Sequence, residues 1–227
     1  RLPTWDARRE RLLGWWGPLT FAVLGGILRF WRLDRPHQLV FDETYYVKQG
    51  VSMLRYGVEM RWKGEGEEVD PLFTHGTLDV FKTTEGDMVV HPPVGKWVIA
   101  FGEWIFGATS SWGWRFSVAA LGTISILLIG RIARRLFASS LLGTVAAFIT
   151  AFEGHHFVHS RTGLLDIVLM FFVAVTEVIR GDLDASESTY AALIAQLIAV
   201  GIPAGADFHI LAGVCLGWHR GTIAPIV

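Results

Sequence analysis

Asp42 and Glu43 stand side by side about ten residues after the end of a long apolar segment, at the head of ETYYVKQGVSMLRY. A carboxylate held there can take a proton from a hydroxyl while a lipid-linked substrate approaches from the bilayer. Inverting transfer from a glycosyl phosphate needs one such base and no general acid, because the phosphate leaves as an anion. The same position also suits a structural role, since acids are favoured at the positive end of a helix and Asp42 is a good N-cap. Spacing leaves both readings open. A leaving phosphate requires cations or oriented donors, and His91, Lys96, Arg115 and Arg161 are the candidates. Arg115, between Trp114 and Phe116, can equally be an interfacial anchor that snorkels to water. Arg161 and Asp166 can form a structural ion pair, the role favoured for Asp166. In EGHHFVH (153–159), His155 and His159 have the i, i+4 spacing that can place two imidazoles on one face. No Cys or third well-spaced ligand accompanies them, so histidines lining a polar cavity are favoured and no metal ligand is assigned.

These residues need elements to position them, and composition says of what kind. The 227 residues are 52% hydrophobic and 18% charged, with ten Trp, and the mean hydropathy is +0.41, which fits a soluble domain poorly. A polytopic, all-α membrane protein is expected. The net charge of -1 carries no information about partners until it is sorted by position. No nucleic-acid partner is expected, and the single Cys215 excludes an internal disulfide. Residues 12–31 carry Arg29 near the outer end, where it can snorkel, and have no small-residue cleavage site, so they read as a retained first span. Further spans are expected at 114–130, 136–152 and 164–179, and 190–206 is a candidate disrupted by Gly201, Pro203 and Gly205. Arg1, Arg8, Arg9 and Arg11 precede the first span, and Arg131, Arg134 and Arg135 follow the second. Both clusters should be cytoplasmic. The division is then 1–11 cytoplasmic, 12–31 span one, 32–113 external loop, 114–179 spans two to four, and 180–227 a polar connection with an atypical hydrophobic tail. The 153–163 connection also faces outside.

Within the outer loop two helices are predicted at the membrane surface. In 43–56 the apolar Tyr46, Val47, Val51, Met53 and Leu54 fall mostly on one face, with Glu43, Lys48 and Arg55 elsewhere. In 94–107 Val94, Trp97, Val98, Phe101 and Ile105 recur at spacings of three and four, while Lys96 and Glu103 make the segment a poor span. Between them, 57–90 is rich in Gly, Glu and Asp and reads as a solvated, mobile excursion. The HPP at 91–93 fixes extended backbone and permits a helix only from its first turn.

FDETYYVKQG, HPPVGKW, WRFSVAALG and SRTGLLDIVLMFF occur in the order and spacing of the protein O-mannosyltransferase family, and the chain resembles its actinobacterial members most. The resemblance implies a multi-spanning GT-C glycosyltransferase that uses polyprenyl (dolichyl) phosphate mannose as donor. The implied acceptors are Ser and Thr of secreted polypeptides met at the translocon. It implies Asp42 as the base and Glu43 as a residue that places the acceptor or the active-site loop. Arg115 is implied near the donor phosphate, with His91 and Lys96 close to the site and Arg161 beside them. No cofactor is implied beyond the donor, and need for a divalent metal is left open. The setting is the plasma membrane, multi-pass, with the catalytic loop on the periplasmic side. Family members are about twice as long, and after about Val175 the resemblance fades, so an N-terminal fragment is expected. Two alternatives remain: another GT-C transferase acting on a lipid or glycan acceptor, and a transporter or scaffold. A transporter should carry mid-span charges and a repeated half, which this sequence lacks.

Overall fold

The computed structural model describes residues 7–64 and 66–182, so the expected segment at 190–206 and the later tail lie outside the described residues. In chain order the elements are α1 (Ala7–Phe30), α2 (Glu43–Tyr56), β1 (Met60–Trp62), α3 (Gly66–Thr74), β2 (Phe81–Gly86), α4 (Pro93–Phe106), α5 (Ser111–Phe137), α6 (Ser140–Phe152), α7 (Gly154–His159) and α8 (Asp166–Asp182). The fold is mostly helical, and the all-α expectation is corrected by one small antiparallel sheet, β1 with β2.

Helices α1 and α5 are the two described helices long and apolar enough to cross a membrane. The 27 residues of α5 rise about 40 Å. Helix α6 packs against both and has only 13 residues, ending at Glu153, whose carboxylate accepts from the His155 and His156 amides and so starts α7. Helix α8 packs on α5. The backbones of α5 and α6 nearly touch: a Cβ on Gly143 would lie 2.7 Å from the Gly130 carbonyl oxygen, so only glycine fits there.

The 32–113 segment builds its own core onto the ends of these helices. Val47 and Val51 of α2, Val69 and Phe73 of α3, Val80 and Phe81 around β2, and Ile99 of α4 pack with Trp114 and Val118 of α5 and with Leu165 and Val168. The expectation of a solvated excursion over 57–90 therefore fails. Its acids and glycines hid the few apolar side chains that α3 and β2 turn inward, and β1 and β2 pair Met60 with Gly86 and Trp62 with Phe81 across a register irregularity. Trp114 is fully buried, and its indole N–H donates to the Ala108 carbonyl at 2.7 Å.

Both loop helices start and stop as their punctuation requires. Gly57 ends α2 in the left-handed region (φ 76°), its N–H donating to the Met53 carbonyl. Pro93 opens α4 at its first position. Helix α4 is turned inside out: Trp97, Phe101, Trp104, Ile105 and Phe106 are exposed, while Lys96 and Glu103 are buried. Such a helix suits a hydrocarbon surround on its outer face rather than water.

Candidate active site around Asp42 and Glu43

Glu43 lies at the first turn of α2 and is fully buried. Its carboxylate accepts four hydrogen bonds. Arg115 Nε donates to Oε1 at 2.8 Å and Arg115 Nη2 to Oε2 at 2.7 Å, a bidentate pair. The amide of Gly163 donates to Oε1 at 2.7 Å and that of Val40 to Oε2 at 3.0 Å. Arg115, 2% exposed, spends its remaining donors on the carbonyls of Pro36 (2.9 Å), Gln38 (3.0 Å) and Leu33 (3.4 Å). This pair fastens the 33–42 segment, the start of α2, the outer end of α5 and the 160–165 connection to one point.

The carboxylate of Asp42 is spared by this arrangement. Asp42 occupies the N-cap position of α2, but its side chain makes no capping hydrogen bond. The carboxylate that reaches back to a loop amide is that of Glu43, so the expected capping role passes to the neighbour. Phe41, just before Asp42, has φ 54°, which for a bulky residue is an unfavourable conformation of the kind that accumulates at functional sites, and its ring is exposed.

Beside Asp42 stand Tyr46, one turn further along α2, and His91 of the HPP segment, their rings 5.6 Å apart and edge to face. The Tyr46 phenol is pushed up to about 12 by burial and by the Asp42 and Asp166 carboxylates, the former accepting its hydrogen bond. Burial and the Lys96 charge lower the His91 pKa, against the opposing pull of Asp42, Asp166 and Glu59, so the imidazole is neutral at pH 7.

The other candidate cations all have partners inside the chain. Lys96 is fully buried and donates to both carboxylate oxygens of Glu59 at 2.7 Å. Arg161 donates to the carbonyls of Leu28 (2.6 Å), Arg29 (3.0 Å), Trp31 (2.8 Å) and Arg32 (3.2 Å), capping the end of α1. That geometry replaces the expected Arg161–Asp166 pair: Asp166 has instead His159 Nδ1 at 3.8 Å. Of the four candidates for the phosphate, His91 alone is not committed to such internal bonds.

Arg29, expected to snorkel, is fully buried instead. It donates to the carbonyls of Gly25, Ala151 and Thr150 and lies 2.7 Å from His156 Nδ1, whose other ring nitrogen is 3.0 Å from Ser125 Oγ. The carbonyls freed where α6 ends explain this: a buried guanidinium can satisfy several at once. Burial, helped by Arg29, lowers His156 to about 4, so it is neutral. The histidine cluster thus divides, with His156 in this network and the His155 and His159 rings tilted against each other, 4.1 Å apart, outside it. Among the described residues no group of three or more metal-type ligands converges. A Lys48–Asp70 ion pair, with Lys48 fully buried, escaped sequence reasoning because Lys48 falls off the apolar stripe of α2.

Comparison with known proteins identifies the family. Residues 19–214 match the family described as dolichyl-phosphate-mannose-protein mannosyltransferase, which extends past Val175, where the motifs leave the expected pattern. Relatives named polyprenol-phosphate-mannose--protein mannosyltransferase share 37% identity over 84% of this chain in Mycolicibacterium smegmatis and 36% over 72% in Mycobacterium tuberculosis. A third, from Corynebacterium glutamicum, shares 39% over 59%. The matches cover 34%, 28% and 23% of those proteins, so the chain spans about a third of their length rather than half. No solved structure matches the chain. The chain belongs to the dolichyl-phosphate-mannose-protein mannosyltransferase family.

Proposed function

We propose that this chain supplies the base and the outer loop of an enzyme that transfers mannose from polyprenyl phosphate mannose to Ser and Thr hydroxyls of secreted polypeptides. The observation that carries the reading is the Asp42 carboxylate, which no cap or cation consumes, next to a neighbour buried in a four-bond lock. Asp42 takes the proton of the acceptor hydroxyl as that oxygen bonds to C1 of the mannose. The C1–O bond to phosphate breaks with inversion, and polyprenyl phosphate departs as the anion. Tyr46, one turn along α2, keeps its phenol protonated and available to hydrogen-bond the Asp42 carboxylate. His91, neutral and beside the base, donates from its ring N–H toward the departing phosphate. Arg115, Glu43, Lys96 and Arg161 act through the loops they hold.

The outer apolar face of α4 rests in the bilayer surface and brings the lipid-linked donor to the level of Asp42. The protein is multi-pass in the plasma membrane, with Asp42 on the periplasmic side, where acceptors emerge from the translocon. The test is Asp42→Asn in the protein expressed from its complete reading frame. Mannosyl transfer to a Thr peptide is expected to fall by roughly a hundred- to ten-thousand-fold. Near-normal transfer overturns the role of Asp42.

A further inference from the structure

Several acids around the site are engaged: Glu43 with Arg115, Glu59 with Lys96, Asp70 with Lys48, and Asp87 with the Gln49 amide. Asp166 is not held in this way. Its side chain is 71% exposed, and its charged contact, His159 at 3.8 Å, is beyond hydrogen-bond reach. Two fixed contacts set where it points from. The Gly163 amide is bonded to Glu43, the residue after Asp42, and Leu165 packs so closely on Gly95 that a Cβ there would lie 2.7 Å from the leucine methyl. Three residues past Gly163, at the first turn of α8, Asp166 is thereby held near the start of α2 and the start of α4, the elements around which Asp42, Tyr46 and His91 are grouped. Its charge acts on both Tyr46 and His91, as that of Asp42 does.

We propose that Asp166 is a substrate-binding carboxylate that accepts hydrogen bonds from hydroxyls of the transferred sugar. This rests on the transferase reading above. A carboxylate is an acceptor with several lone-pair sites, which suits a ring carrying hydroxyls and repels a phosphate. Asp42 is committed to the acceptor hydroxyl, which must come within about 3.5 Å of C1. The sugar ring then lies over the remaining free acceptor of the cluster, Asp166. With two carboxylates facing it, the phosphate lies on the His91 side.

The experiment measures donor and peptide dependence for Asp166→Asn in the full protein, using polyprenyl phosphate mannose and its 2-, 3-, 4- and 6-deoxy analogues. The expected result is a donor KM raised ten-fold or more, an unchanged peptide KM, and transfer at saturating donor within a few-fold of the parent. One deoxy analogue should bind the parent more weakly than mannose and bind Asp166→Asn no more weakly than mannose does. A shift in peptide KM alone, a loss of kcat with both KM values intact, or additive effects with every analogue each overturn the assignment. Should Asp166→Asn fail to fold, Asp166→Glu takes its place, with the same analogue expected to show the altered ratio. Equilibrium binding of the analogues to membranes, without acceptor, separates the two proposals. A parent that binds the donor with this hydroxyl dependence but transfers nothing removes the mechanism and leaves Asp166 in place.

Discussion

Replacing Glu43 with Gln keeps the shape of the side chain and removes its charge. The carboxylate accepts four hydrogen bonds, two at each oxygen, from Arg115, Gly163 and Val40. A glutamine has one acceptor oxygen, so two of the four are lost whichever way the amide is turned, and its NH2 group then faces two donors. Arg115, 2% exposed, is left without a counter-charge. Removing one partner of such a buried pair costs about 3–5 kcal/mol, equivalent to a local opening equilibrium shifted by roughly a hundred- to five-thousand-fold. The assay is hydrogen exchange on detergent-solubilised protein. The Val40 and Gly163 amides should exchange faster by about that factor, while amides in the middle of α5 keep their protection. The double variant Glu43→Gln, Arg115→Met should recover part of the loss, because the unpaired guanidinium is most of the cost. If Val40 and Gly163 keep parental protection in Glu43→Gln, the lock does not hold these loops together.

Two further predictions concern buried titratable groups. His156 is held to about 4 by burial and Arg29, whereas in the unfolded chain it protonates near 6.5. Stability is therefore complete above that value and falls as pH drops from 6.5 to about 4, by up to about 3 kcal/mol. Unfolding of detergent-solubilised protein across this window reads the slope, and His156→Gln should flatten it. Glu103 is buried in α4 with neither carboxylate oxygen hydrogen-bonded, and burial pushes its carboxyl well above the ordinary range. The unfolded chain ionises it at neutral pH, so the native state loses stability as pH rises above 4.5. Glu103→Met should raise the thermal midpoint at pH 7 to 8, and a lower midpoint counts against the assignment.

What could be read beforehand was local. The period of 3.6 in ETYYVKQGVSMLRY, with Gly57 beyond it, and the Pro92–Pro93 stop gave α2 and α4 nearly to the residue. The partners of buried charges could not be read the same way. Glu43 and Arg115 are 72 residues apart, and spacing within a helix carries no information about a partner at that distance. The apolar stripe of α4 indicated which side was greasy but not that it faces outward, because in a lipid setting the polar side of a helix can be the buried one. In 57–90 many acids outvoted the four side chains that matter, Val69, Phe73, Val80 and Phe81. Asp166 was paired with Arg161 for being near in sequence, whereas the end of α1 offered Arg161 four carbonyls at once.

The separation of Glu43 from Arg115 also orders the making of the protein. Glu43 leaves the ribosome long before Arg115, and its ligand sits at the outer end of α5, which must itself be inserted before the guanidinium can arrive. Until then the emerging segment carries a carboxylate without its counter-charge, which favours water. Gly163 follows later still, when the chain beyond α7 has emerged. The four bonds at Glu43 are thus complete only after this region of the chain is threaded, and a nascent chain arrested before α5 carries Asp42 without the Glu43–Arg115 pair beside it.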